Sequence, residues 1–376
     1  MKVNVIEPFC IGKEHLINNI TFLKSLLDDK SVIGINFYAD KKHGIEVLTL
    51  LRMTPEQEKK VNFIPIKVVR DNFFKRVFNE VITISRIFIT SNKSSVFLFL
   101  SVNETSQVVI KLLNIICGKK IVLIPHAILT TLNRNSCSGR YSWLKKMLCF
   151  ELWLKILNSK KIKYLILGKH IEVRMNELNK LHGVNYSVIP LPYLYDEKHR
   201  NIRHCSEELI VSFIGIGSKD KNIEKFYQLV NKYKGTIKFK HLGVLAEDVK
   251  YLPEKYGFNI SNDKMIAFDL LQSEIVKSDY IYMNLEKESY ALRASATFFD
   301  CINLGKPMII EKDSFYYENE IITVINNVGI SYDAQVDLYE SLKRVSSEEY
   351  EGFQENIYEI KRQISNFDYG EAVLND

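Results

Sequence analysis

The stretch PLPYLYDEKHRNIRHCSEELIVSFIGIGSKDKN, residues 190–222, decides how this 376-residue chain is organised. Its first part, 190–208, carries two prolines and a run of charges, and it shows no apolar period. Such a segment reads as a linker. At 209 the chain turns apolar again, giving a strand at 209–214 that ends on Gly215 and Gly217. A break followed by a fresh strand marks the start of a second folded unit.

Outward from that point, both flanks alternate in the same way. Upstream, strands are expected at 3–6, 32–37, 62–66, 96–100, 121–124 and 164–167. Helices fall between or after them at 14–27, 45–52, 73–90, 105–117, 141–157 and 171–182. Downstream, strands at 209–214, 236–240, 280–284 and 307–310 alternate with helices at 222–233, 247–256, 264–276 and 295–304. Helices at 336–345 and 347–365 follow. Short uninterrupted strands separated by amphipathic helices imply parallel sheets covered on both faces. The expected class is α/β, with two Rossmann-like domains facing each other across a cleft. Residues 1–189 form the first domain, 190–208 the linker and 209–346 the second domain. The last stretch, 347–376, is expected to cross back to the first.

The totals agree with a soluble globular chain: 46% apolar and 26% charged residues, enough for two cores. The net charge is +6, from 51 basic and 45 acidic residues, and Lys and Arg are dispersed. Dispersed charge disfavours a nucleic-acid binder, and a mild excess suits an anionic ligand or an acidic membrane surface. Cys10, Cys117, Cys137, Cys149, Cys205 and Cys301 fall in no metal-ligand spacing and read as reduced thiols. The N-terminus reads as a strand and not a signal peptide, and no apolar run of about 18 residues exists, so a cytoplasmic location is expected.

Ligands of open α/β sheets sit at the carboxyl ends of strands. Four stretches there carry candidate chemistry. In YALRASATFFDCINLGKPMII, 290–310, Tyr290 and Arg293 precede Ser295, Ala296 and Thr297 at the start of a helix. Small residues let a phosphate approach the unpaired helix amides, and Arg293 adds a charge-assisted contact. A plain N-capped helix is the competing reading. After the strand at 209–214, Gly215 and Gly217 permit close backbone approach, and Lys219 and Lys221 offer point charges to a diphosphate. An ordinary strand-to-helix loop explains them as well. His126 follows the strand at 121–124, and Glu7 follows the first strand. Both are candidates for catalysis, Glu7 as a general base, against a packed histidine and a capping carboxylate. The segment 142–161, with Trp143, Phe150 and Trp153 among leucines and lysines, is either a core helix or one lying on an anionic membrane.

Together these residues resemble GT-B glycosyltransferases, and in particular the family 4-like enzymes of bacterial surface polysaccharide (O-antigen and capsule) loci. The EAMAxGxP helix of that family corresponds to Asp300-Cys301-Ile302-Asn303-Leu304-Gly305-Lys306-Pro307, which makes Asp300 the ribose-binding acid by resemblance. The glutamate that the family places eight residues earlier is Leu292 here. In its GRLxxxKG loop, Gly215 and Lys221 match while Ile216 replaces the arginine. His126 resembles the family's histidine near the transferring sugar. The resemblance implies a nucleotide-diphosphate sugar as donor and a saccharide acceptor carried on a lipid. It implies a hexosyltransferase-type reaction that needs no cofactor or bound metal. Rival readings are a nucleotide-sugar epimerase of the same fold and a two-lobed solute-binding module; a dehydrogenase is disfavoured because the glycine fingerprint is absent.

Overall fold

The computed structural model describes residues 1–92, 95–126, 128–133, 147–195, 208–258, 266, 268–312, 314 and 328–375. Trp143, Cys137, Cys205 and residues 196–207 of the expected linker lie outside the described residues. The chain divides into two compact units, Met1–Leu194 with Phe367–Asp376, and Tyr195–Asn366.

Among the described residues the first unit is built on seven strands: β1 Lys2–Ile6, β2 Gly34–Asp40, β3 Val61–Ile66, β4 Val96–Phe99, β5 Lys120–Leu123, β6 Ile162–Leu167 and β7 Tyr186–Ile189. They pair in parallel in the order β3-β2-β1-β4-β5-β6-β7. Central strands bury both faces, so β4 and β6 read as unbroken apolar runs. The chain steps outward from β1 to β3, returns through the helix Phe73–Thr90 to β4, then steps outward the other way. Right-handed crossovers therefore place the helices before and after that return on opposite faces. The helices Leu16–Asp28 and Lys41–Leu51 pack together on one face, and Phe73–Thr90, Glu104–Cys117 and Phe150–Lys155 pack side by side on the other.

This winding leaves β5 to β7 uncovered on the first face. The last helix, Tyr369–Leu374, fills that place: it packs on Leu16–Asp28 and β7, with the Tyr369 and Phe22 rings 5.6 Å apart. Lys120 Nζ donates to Leu374 O at 2.7 Å, and Lys163 Nζ to Ala372 O and Asn375 O. The return thus begins later than expected. The helix Ser347–Ser365 stays with the second unit, burying Tyr350, Phe353, Ile357 and Ile360 there. Asn366 ends it, and Asp368 caps a new helix with its carboxylate.

Among the described residues the second unit holds five parallel strands in the order β12-β11-β10-β8-β9: β8 Ile210–Ile214, β9 Lys238–Leu242, β10 Tyr280–Met283, β11 Met308–Glu311 and β12 Gly329–Tyr332. Phe226, Tyr227, Tyr280, Tyr282 and Ile309 anchor its core. Parallel sheets of seven and five strands, covered by helices, make both units Rossmann-like.

Several buried lysines of both units close helix ends. Lys119 Nζ donates to Ser91 O and Asn92 O, Lys306 Nζ to Val276 O and Ser278 O, and Lys361 Nζ to Asn303 O. Each meets carbonyls that the preceding helix leaves unpaired at its negative end. Among the described residues no helix is long and apolar enough to cross a membrane.

The expected helix at 141–157 is realised, among described residues, as Phe150–Lys155. Trp153 is half-buried there, its indole donating to Met147 O at 2.7 Å. The expected helix at 247–256 splits into a single turn at Glu247–Val249 and Leu252–Lys255, because Pro253 opens the second piece.

Candidate functional site

In the second unit the loops after β8 and β9 lie against each other backbone to backbone. Gly215 N donates to Leu242 O, Gly217 N to Val244 O, and Ala246 N to Gly217 O. A Cβ on Gly243 would stand 2.0 Å from Gly215 O, and one on Gly217 would meet Leu245, Ile223 and His241 within 2.7–3.1 Å. The glycines expected to admit a phosphate therefore also admit a neighbouring loop. Gly215 itself takes φ 86°, which turns the chain out of β8.

The turn Lys219–Lys221 and the left-handed Asn222 then reverse the chain into the helix Ile223–Lys232. That reversal brings Lys221 back over the end of β8. Its Nζ lies 3.0 Å from Thr297 Oγ1 and 3.4 Å from Ile214 O. Thr297 stands in the first turn of the helix Ala296–Leu304, so an ammonium sits at the positive end of a helix. Ser295 occupies the N-cap position, but its side chain accepts no bond from the helix amides. Burial holds the Lys221 ammonium down to about 8, opposed by the nearby Asp300 carboxylate.

Lys221, Thr297 and Asn284 line a small cleft whose apolar wall is Phe213, Ile214, Met283 and Leu285. Asn284 is fixed at the end of β10: it accepts from Asn222 Nδ2 at 3.2 Å and donates to Tyr282 Oη at 3.3 Å. Tyr282 Oη in turn donates to Glu311 at 2.8 Å, and Lys225 pairs with the same carboxylate. Burial, with Glu311 beside it, pushes the Tyr282 phenol well above its ordinary range.

Arg293 is held at the rim. Its Nη1 lies 3.1 Å from Asp220 Oδ2 and its guanidinium stacks 5.3 Å from the Tyr290 ring centroid. Burial raises the Tyr290 phenol, and Arg293 opposes that shift. Lys219 is not brought to this group: its exposed ammonium pairs with Asp248 at 3.1 Å. Gly215, Lys221, Thr297, Asp300, Tyr290 and Arg293 thus gather at the carboxyl edge of one sheet, with Ser295 and Ala296 opening the helix between them. Leu292, at the position of the family's first acid, is a buried apolar side chain, and Ile216 is exposed.

The first unit carries a second cluster at its own carboxyl edge, where strand order reverses between β1 and β4. Glu7, fully buried, accepts from Phe9 N, Cys10 N, the Ser101 hydroxyl and Asn19 Nδ2. Asn19 Nδ2 also donates to His43 Nε2 at 2.8 Å, and His43 Nδ1 lies 2.7 Å from Gly12 O. An amide nitrogen only donates, so His43 accepts on Nε2 and donates from Nδ1. Glu7 was expected as a base; its oxygens are already engaged with donors that tie the loops after β1 and β4 together. Burial, with Glu7 beside it, raises the Cys10 thiol. His126, half-buried after β5, meets the ring of His15 edge-on at 4.5 Å. His15 precedes the helix Leu16–Asp28 in a left-handed conformation.

Sequence reading missed Asn284, Tyr282, His241, His15 and His43. His15 and His43 fall on the loop after β1 and on helix Lys41–Leu51, where spacing gives no signal for contacts across 24 or more residues. His241 lies in β9, its buried ring bonded to Tyr227 Oη at 2.9 Å and pushed down to about 4 by that burial.

No protein-family model matches the sequence, and neither does any curated protein. Solved structures do match over nearly the whole chain. HepE of Anabaena, solved with UDP and glucose, has a TM-score of 0.63 and 11% identity, covering 99% of this chain and 97% of that one. A glycosyltransferase from Rickettsia africae gives 0.61 and 12%, covering 100% and 99%. A UDP-N-acetylglucosamine 2-epimerase from Listeria monocytogenes, itself a tentative assignment, gives 0.54 and 11%, covering 99% and 93%. At these identities the likeness is one of fold: the chain shares the two-unit Rossmann-like architecture of GT-B glycosyltransferases.

Proposed function

We propose that the protein is a glycosyltransferase that moves a sugar from a nucleotide-diphosphate donor to a lipid-linked saccharide in surface polysaccharide synthesis. The observation that carries this is the Lys221 ammonium at the first turn of the helix Ala296–Leu304, 3.0 Å from Thr297 Oγ1. The ammonium and the helix amides both attract an anion, and the single Asp300 carboxylate near Lys221 does not compensate the two together. A diphosphate supplies that anion, and the solved neighbour with UDP and glucose supports the nucleotide reading. In this reading Lys221 and the amides of Ala296 and Thr297 take the charge that develops on the leaving diphosphate. Arg293 adds a second cation from the rim, Asp300 binds the ribose, and the first unit holds the acceptor near His126. Glu7 positions the loop that presents His15.

The test is thermal shift with a panel of UDP, GDP and CMP sugars, followed by product analysis with and without a saccharide acceptor. A ligand at 100 times its dissociation constant stabilises by about 2.7 kcal/mol. Arg293→Ala is expected to weaken the nucleoside diphosphate at least about tenfold while leaving the nucleoside nearly unchanged. A panel with no stabilising nucleotide overturns the proposal, and conversion of the donor sugar to its epimer without acceptor replaces it with the epimerase reading.

A further inference from the structure

A helix facing water is normally polar on its outer side. In the first unit, the side-by-side helices Phe73–Thr90, Glu104–Cys117 and Phe150–Lys155 break that rule together. Phe78 is 68% exposed, Ile82 49%, Ile89 77%, Ile115 63%, Ile116 84% and Leu152 46%. On Phe73–Thr90 these positions are separate from the face that packs inward through Ile84, Ile87 and Phe88. Phe73–Thr90 joins β3 to β4 and Glu104–Cys117 joins β4 to β5, so both run from the carboxyl edge of the sheet towards its amino edge. Ile89, Ile115 and Ile116 consequently stand near the same, amino-terminal edge, remote from the edge that carries His126.

The exposed charged residues of these three helices, Lys75, Arg86 and Lys155, are all basic. Lys111, Lys119, Lys120 and Lys163 spend their ammonium groups on backbone carbonyls inside the unit. Arg86, Lys155 and Lys160 remain exposed beside the apolar positions. Of the acids on these helices, Glu80 is buried beside Arg76, Glu151 is paired with Lys180 and Glu104 lies in the first turn of its helix, at the other end from Ile115 and Ile116.

We infer that this three-helix face docks the protein on an anionic lipid bilayer. Apolar side chains enter the interface while the surrounding cations meet the head groups. A second copy of the chain is the poorer occupant, because self-association would bring together two faces whose exposed charges are all positive. The inference goes beyond the proposed function by placing the protein at a membrane, and it rests on that reading for its biological purpose alone.

The experiment uses the full chain and vesicles of phosphatidylcholine with or without phosphatidylglycerol, at low and high salt. Binding is expected only with phosphatidylglycerol, and it should weaken as salt rises. The double variant Ile89→Glu/Ile116→Glu and the variant Arg86→Glu/Lys160→Glu are each expected to lose about tenfold or more in partitioning, with unchanged melting temperature. Absence of lipid binding overturns the inference, and so does binding to phosphatidylcholine alone or binding that the variants leave intact. A dimer in sedimentation velocity that the first variant splits overturns it in favour of a second copy. Nucleotide-induced thermal shift is measured in parallel without vesicles. Lost lipid binding with retained nucleotide response sinks this inference alone, and the reverse pattern sinks the transferase reading alone.

Discussion

At the scale of single residues, Lys221 makes the sharpest demand. Its folded pKa of about 8 lies below the ordinary 10.5, because burial disfavours the charged form. Only the protonated ammonium attracts a diphosphate, and a bound anion raises its pKa. Donor affinity should therefore be flat below about pH 8 and fall above it, by at most about tenfold per pH unit. In Lys221→Ala that decline should vanish along with at least about tenfold of affinity, as calorimetry across pH 6.5–9.5 would read (range set around the pKa). A decline that survives the substitution would move the titration to another group. His126 makes a different demand. His126→Ala should leave the melting temperature nearly unchanged while transfer falls about 100-fold or more. Its edge-on partner His15 should cost less, since it supports the ring of His126 and does not replace it. Full turnover in a folded His126 variant removes that residue from the chemistry. Much of this was legible from position after a strand. Lys221 and Thr297 were each named from their own loops, but their meeting across 76 residues was not. Pairing of that kind is set by the packing of two loops on one sheet edge, which leaves no trace in local spacing.

At the scale of elements, the strands that sequence reading overlooked are β7 and β12, both at sheet edges. β7 is a four-residue YSVI of which only Ile189 is fully buried, and β12 is GISY with only Tyr332 buried. An edge strand packs on fewer sides, so its apolar signal fades, and β7 runs straight into the prolines of the linker. Central strands such as β4 and β6 announced themselves because both faces are buried. The glycine loops show the opposite: their pattern suits a ligand, and their tightest contacts are with each other. Gly243→Ala tests this. Its Cβ would meet Gly215 O at 2.0 Å, so the two loops must separate. Destabilisation of roughly 1–3 kcal/mol is expected, with a parallel loss of donor binding as Lys221 moves with its loop. Retained nucleotide affinity in a destabilised protein would show that the cleft does not depend on this loop pair.

At the scale of the whole molecule, the decisive element is the last one. Tyr369, Val373 and Leu374 are buried against the first unit although they follow the entire second unit in sequence. Each such side chain contributes about 1.5–3 kcal/mol, so deleting residues 367–376 removes an amount comparable with the total stability of a domain. Limited proteolysis of the shortened chain should cut the first unit rapidly and leave a resistant fragment spanning about 208–366. Equal resistance of both units would show that the helix is dispensable.

That arrangement also sets a timetable for synthesis. The second unit is one uninterrupted stretch and can close as soon as it has been translated. The first unit, although made first, must wait with the flank of its sheet over β5 to β7 open until Phe367 and the residues beyond it emerge. At about 5–20 residues per second the wait is on the order of 10–30 s. During it the nascent protein should present an unsealed apolar flank, exposed to aggregation until the helix Tyr369–Leu374 docks.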